Sequence, residues 1–67
     1  MSLHDFKLAR LSRVAELPFA TLIMAAAGRA DSVNYARLEA AFPEIVAETR
    51  ARWNSEGGRL PSDSGGA

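Results

Sequence analysis

At 67 residues the chain has room for one domain, and its eight basic and eight acidic residues cancel, so no global field recruits nucleic acid or a membrane surface. It has no cysteine and a single histidine, His4, which excludes disulfides and thiolate metal sites and predicts no metal and no cofactor. A core of this size is marginal alone, and with disulfides and metals gone, oligomerisation is the remaining support.

The first element is predicted from Ser2 to about Glu16. Ser2 with Asp5 three positions on makes a capping-box pattern, and Pro18 stops the helix. Leu8, Leu11, Val14 and Ala15 share a face expected to meet the next helix. Lys7, Arg10 and Arg13 form a row at i, i+3 and i+6. The row is either a contact for phosphates or a solvated face with an intramolecular ion pair or two.

The second element opens at Pro18, whose fixed φ and missing N–H suit a first helical position. Phe19, Leu22, Ile23, Ala26, Ala27 and Ala30 recur at helical spacing and define a core face. The opposite face, Ala20, Thr21, Met24, Ala25 and Gly28, carries no charge either, so this helix needs cover on more than one side. It is too short to cross a bilayer, which takes about 20 apolar residues. The cover is therefore protein, and Thr21, Met24, Ala25 and Gly28 are the candidate interface of a homo-oligomer. Ala25 and Gly28 either permit a close backbone approach or reflect helix propensity and space-filling.

A polar connection follows. Arg29 suits the carbonyl end of a helix, and Asp31 or Ser32 is a natural N-cap for a third helix to about Ala41. Local chemistry explains most of this corner; its functional reading is a small anion site made by Arg29, Asp31, Asn34 and Tyr35 beside free N–H groups. Tyr35, Leu38 and Phe42 form the helix's core face, with the small Ala36 and Ala40 behind.

Pro43 opens the last helix, with Glu44 in its first turn. Ile45, Val46, Thr49 and Trp53 lie on one side, and Glu48 to Arg52 is an i, i+4 pair in the favourable order. Trp53 is expected to close the core, with a partner for its indole N–H. From Asn54 the composition turns to Gly, Ser and Pro, which predicts a mobile tail with Leu60-Pro61 as its only apolar anchor. The expected fold is all-α: a compact bundle of three to four short helices over 1–55, and a flexible tail over 56–67. The start, MSLHDF, lacks a basic region followed by an apolar stretch, which predicts a cytoplasmic protein.

These residues favour a binding module over an enzyme, because one peripheral histidine and scattered acids bring no nucleophile and base together. A helix-turn-helix regulator is the alternative. Aligning Gly28 with that motif's turn glycine places Met24 where a small residue sits and Arg29 where an apolar one follows. The would-be recognition helix, DSVNYARLEAA, offers one Arg against two acids. Specific nucleic-acid binding is therefore not expected.

Over roughly residues 20–58, Leu22-Ile23-Met24-Ala25-Ala26, Ala30-Asp31 with Asn34, Leu38, Ala41-Phe42-Pro43-Glu44, Arg52 and Gly57-Gly58 together resemble a pattern in short uncharacterised proteins of phages and mobile elements. The resemblance implies a small helical accessory protein and supplies no activity, cofactor or catalytic residue. A host protein or a small anionic ligand, such as a signalling nucleotide, is the partner it makes conceivable.

Overall fold

The structure, a computed structural model, describes residues 2–65. Among them there is no strand, and six helices follow one another: α1 (Leu3–Ala9), α2 (Ser12–Ala15), α3 (Phe19–Arg29), α4 (Ser32–Ala41), α5 (Pro43–Trp53) and, after a 3₁₀ turn at Glu56–Gly58, α6 (Pro61–Gly65). No helix among the described residues is long and apolar enough to cross a membrane.

Local chemistry sets most of the boundaries. The Ser2 hydroxyl accepts the Asp5 N–H at 3.2 Å while the Asp5 carboxylate accepts the Ser2 N–H at 3.0 Å, closing the capping box. Asp31 caps α4 by accepting the Asn34 N–H at 2.8 Å. Phe42 ends α4 and starts α5 in one residue: its N–H donates to the Leu38 carbonyl, and its own carbonyl accepts the Val46 N–H. Its non-helical φ/ψ of −134°/62° makes the bend, and Pro43 begins α5 without a lost donor. Pro18 stands one position outside α3, as its N-cap rather than its first helical residue.

The expected first helix is two. Arg10 caps α1 and Leu11 swings to an extended ψ of 140° before α2, with no side-chain cap to fix it. An isolated helix of this length is marginal in water. Nothing packs across Arg10 and Leu11 to offset that cost, because α1 packs on α2 alone and neither reaches α3, α4 or α5. The face of Leu8, Leu11, Val14 and Ala15 expected on the next helix is consequently open, with Leu8 and Leu11 exposed.

The packed part of the molecule is α3, α4 and α5, with α5 touching both others and the 3₁₀ turn. Its interior is small: Ala27 and Val46 are the buried apolar residues, and Val46 has no exposed surface. Thr49 is buried beside them, its hydroxyl donating to the Ile45 carbonyl at 2.8 Å, so no unmet polar group accompanies it. Phe19 meets Phe42 edge-on with ring centroids 5.6 Å apart. Of the core face expected on α3, only Ala27 is buried; Phe19 and Ala26 are exposed. Trp53 does not close the core either. It lies at the margin against Gly28, 58% exposed. The Cα radius of gyration of 14.0 Å exceeds the roughly 11 Å of a compact domain of this length, since α1 and α2 project as an arm.

Arg52 ties the C-terminal segment to α5. Its guanidinium donates to Glu48, to the Gly58 carbonyl and to both carboxylate oxygens of Asp63, at 2.7 to 2.9 Å. Gly57 and Gly58 take φ of 62° and 72°, the left-handed conformation that turns the chain back toward Arg52. The polar anchor of the segment is thus Asp63, which composition did not single out. Residues 66 and 67 of the expected tail lie outside the described residues.

Two outcomes follow. Val46→Ala should lower the unfolding free energy by about 2 kcal/mol, near 10 °C in melting midpoint, read by urea and thermal denaturation. The hydrogen bonds from Arg52 and then the Leu60 N–H hold the Asp63 carboxyl down to about 2, against an ordinary 3.8. Its depressed pKa makes the docking fully present above the ordinary value and lost as pH falls through the bound one, so release should run from about pH 4 to pH 2. At neutral pH, Asp63→Asn should speed tryptic cleavage after Arg59 and leave the melting of α3–α5 unchanged.

Candidate functional site

The C-terminal turn of α3 and the first two turns of α4 face one another across a two-residue connection, Ala30 and Asp31, both extended. Ala26 and Arg29 of α3 stand at i and i+3, with Ala30 just beyond the helix end; on α4, Asn34, Arg37 and Leu38 stand at i, i+3 and i+4. These two sets line an open groove of about 410 Å³, in which Ala26, Ala30 and Leu38 are the apolar residues and Arg29, Asn34 and Arg37 the polar ones.

Arg29 and Arg37 take part in no ion pair or side-chain hydrogen bond among the described residues, in contrast to Arg50 and Arg52. Arg29 sits in the last turn of α3, where the carbonyl end of the helix favours a cation. The groove is therefore cationic in a chain of zero net charge. Asp31 neighbours it in sequence, but one of its carboxylate oxygens is committed to the Asn34 N–H.

The polar corner expected from Arg29, Asp31, Asn34 and Tyr35 is thus divided. Arg29 and Asn34 share the groove, Asp31 is the cap, and Tyr35 faces α5. The Tyr35 hydroxyl accepts from Arg50 Nε at 3.0 Å, and the guanidinium stands 5.3 Å from the ring centroid. Arg50 also donates to Glu39 at 2.9 Å, and the Tyr35 bond first, then Glu39, raises its pKa. Tyr35 serves to join α4 to α5. Arg37 is the residue sequence reasoning missed; its signal was there, three positions after Asn34 on the same helical face.

The basic row is broken by the bend at Leu11. Lys7 stands in the last turn of α1, Arg10 is the cap residue with its guanidinium 5.7 Å from the Phe6 ring centroid, and Arg13 belongs to α2. The expected interface residues Thr21, Met24, Ala25 and Gly28 line a second groove, about 350 Å³, whose other wall is Thr49, Arg52 and Trp53 of α5. One flank of that face is therefore lined by α5 within the same chain. Among the described residues no group of three His, Asp or Glu side chains is placed to hold a metal ion.

A Cβ added to Gly28 would come within 2.8 Å of Trp53 Cζ2. The helix-propensity gain of Gly28→Ala, about 1 kcal/mol, opposes the loss of this contact. The substitution should leave the melting midpoint nearly unchanged while shifting Trp53 fluorescence to the red and raising its quenching by iodide. Unchanged emission would mean that the indole does not lie on α3.

Comparison with protein-family models, with curated proteins and with solved structures finds no match to this chain.

Proposed function

We propose that the chain is a non-enzymatic binding protein that works as a homo-oligomer, most simply a two-fold dimer, and serves as an accessory protein of the phage or mobile-element kind its sequence resembles. The observation that carries the oligomer is the N-terminal arm. Leu3, Phe6, Leu8 and Leu11 are all exposed on an arm of two short helices that, among the described elements, pack only on each other. An apolar patch of this kind on so small a body is unusual unless it is covered, and helices of two turns or fewer gain their stability from packing.

A second copy is the cover that charge favours. Residues 1–30 carry Lys7, Arg10, Arg13 and Arg29 against Asp5 and Glu16, whereas residues 31–67 carry six acids against four arginines. The arm itself, residues 1–17, carries three cations against two acids, so arm against arm would bring like net charge together, whereas residues 18–67 carry six acids against five arginines. The groove of Thr21, Met24, Ala25 and Gly28, with the exposed Trp53 on its rim, is the apolar receiver on the body. In this reading each copy lays its α1–α2 arm over the other's α3–α5 groove, and the hinge is Glu16 to Pro18. Reciprocal exchange of an arm is a low-cost route to a closed dimer.

Light scattering on the full chain at micromolar concentration tests it. The wild type should run as a dimer, and Phe6→Glu with Leu8→Glu should give a monomer whose α3–α5 helicity persists, since both side chains are exposed in the single chain. A wild-type monomer, or a dimer indifferent to both substitutions, would overturn the arm as the interface.

A further inference from the structure

We propose that the groove between α3 and α4 binds a small phosphate monoester, with Arg29 and Arg37 gripping the phosphate and Ala26, Ala30 and Leu38 receiving the body that carries it. This rests on the reading of the chain as a binding protein, but not on its oligomeric state.

Three observations converge on the groove. Its volume, about 410 Å³, lies in the range of small-molecule sites. Its two guanidinium groups have no anionic partner among the described residues, whereas Arg50 takes Glu39 and Arg52 takes Glu48 and Asp63. Arg29 and Arg37, which like Arg10, Arg13 and Arg59 form no ion pair among the described residues, are the two that line the groove, one from α3 and one from α4. Its remaining surface is apolar, so a bare ion would leave Ala26, Ala30 and Leu38 unused.

The chemistry of the donors selects the ligand class. A guanidinium presents a planar fork that matches two oxygens, and one fork saturates a carboxylate. Two forks from opposite walls call for an anion with more oxygens and more charge. A phosphate monoester, dianionic near neutral pH with three terminal oxygens, fits that demand, and the Asn34 amide adds a donor. A phosphodiester in a nucleic-acid backbone offers two terminal oxygens and a single charge. It fits less well. An apolar or planar body on the ester would lie against the alanines and Leu38.

Isothermal titration of the full chain at low salt tests the assignment with phenyl phosphate, inorganic phosphate, phenol and a single-stranded oligonucleotide of about 12 residues. Phenyl phosphate should bind, inorganic phosphate about tenfold more weakly for want of the ring's apolar contact, and phenol not measurably. Arg29→Gln and Arg37→Gln should each weaken phenyl phosphate about tenfold through lost charge-assisted hydrogen bonds, with circular dichroism unchanged because neither side chain makes an ion pair or side-chain hydrogen bond among the described residues. Absence of binding at millimolar phenyl phosphate, or affinity indifferent to both substitutions, would overturn the proposal. So would an oligonucleotide that binds more tightly than phenyl phosphate and loses that affinity in the same variants, which would make the groove a reader of backbone phosphates. Light scattering on the same samples reports association separately, so a failure there leaves the groove's result standing.

Discussion

The structure depends on α5. It is the one helix that packs on both α3 and α4 and also receives the returning C-terminal segment, and Val46, its fully buried residue, lies where that packing is tightest. Around Val46 the helix divides its labour by face. Thr49 continues inward with its hydroxyl turned back on the Ile45 carbonyl, Arg50 reaches α4, and Arg52 reaches the segment beyond Gly58. The helix is thus held by apolar contact on one side and by two multidentate arginines on the others.

A core this small has a consequence for the rest of the chain. Folding removes water from Val46 completely, from Ala27 and Thr49 almost so, and from Leu22, Ile23, Met24, Leu38, Phe42 and Ile45 in part. It leaves Leu3, Phe6, Leu8, Leu11, Phe19 and Trp53 largely outside. Small domains bury a low fraction of their surface for geometric reasons, but here four of the exposed large apolar residues, Leu3, Phe6, Leu8 and Leu11, lie together on an arm whose helices are too short to be stable unaided. A partner that binds only the folded form would stabilise it by mass action. The weakness of the core and the exposure of the arm are therefore two sides of one constraint.

Charge is distributed in the same uneven way beneath a net value of zero. Arg50 and Arg52 are consumed in holding α4 and the C-terminal segment to α5, and the carboxylates they use, Glu39, Glu48 and Asp63, are unavailable to any other cation. Arg29 and Arg37, which line the groove between α3 and α4, form no ion pair among the described residues. Exposed ion pairs contribute little to stability, so the structural significance of this sorting is positional: it ties α4 and the C-terminal segment to α5.

The sequence by itself determined whatever depends on residues within about one helical turn of each other. The capping box of Ser2 and Asp5, the cap of α4 at Asp31, the start of α5 at Pro43 with its bend at Phe42, and the Glu48–Arg52 pair were all legible, and with them the all-helical class. Half of the candidate groove was legible too, in Arg29 and Asn34, since both were noticed as polar residues at a helix junction. What only the tertiary structure decided involves residues farther apart: Tyr35 leaving the polar corner for Arg50, Arg37 joining Arg29, Trp53 lying over Gly28, Asp63 rather than Leu60-Pro61 supplying the polar anchor, and α1 and α2 standing away from α3. The physical reason is the same in each case. Helical periodicity fixes which side chains share a face, because 3.6 residues complete a turn whatever surrounds them. Which faces meet depends on how the helices are placed, and on a chain whose helices are apolar on more than one side the pattern alone admits several placements.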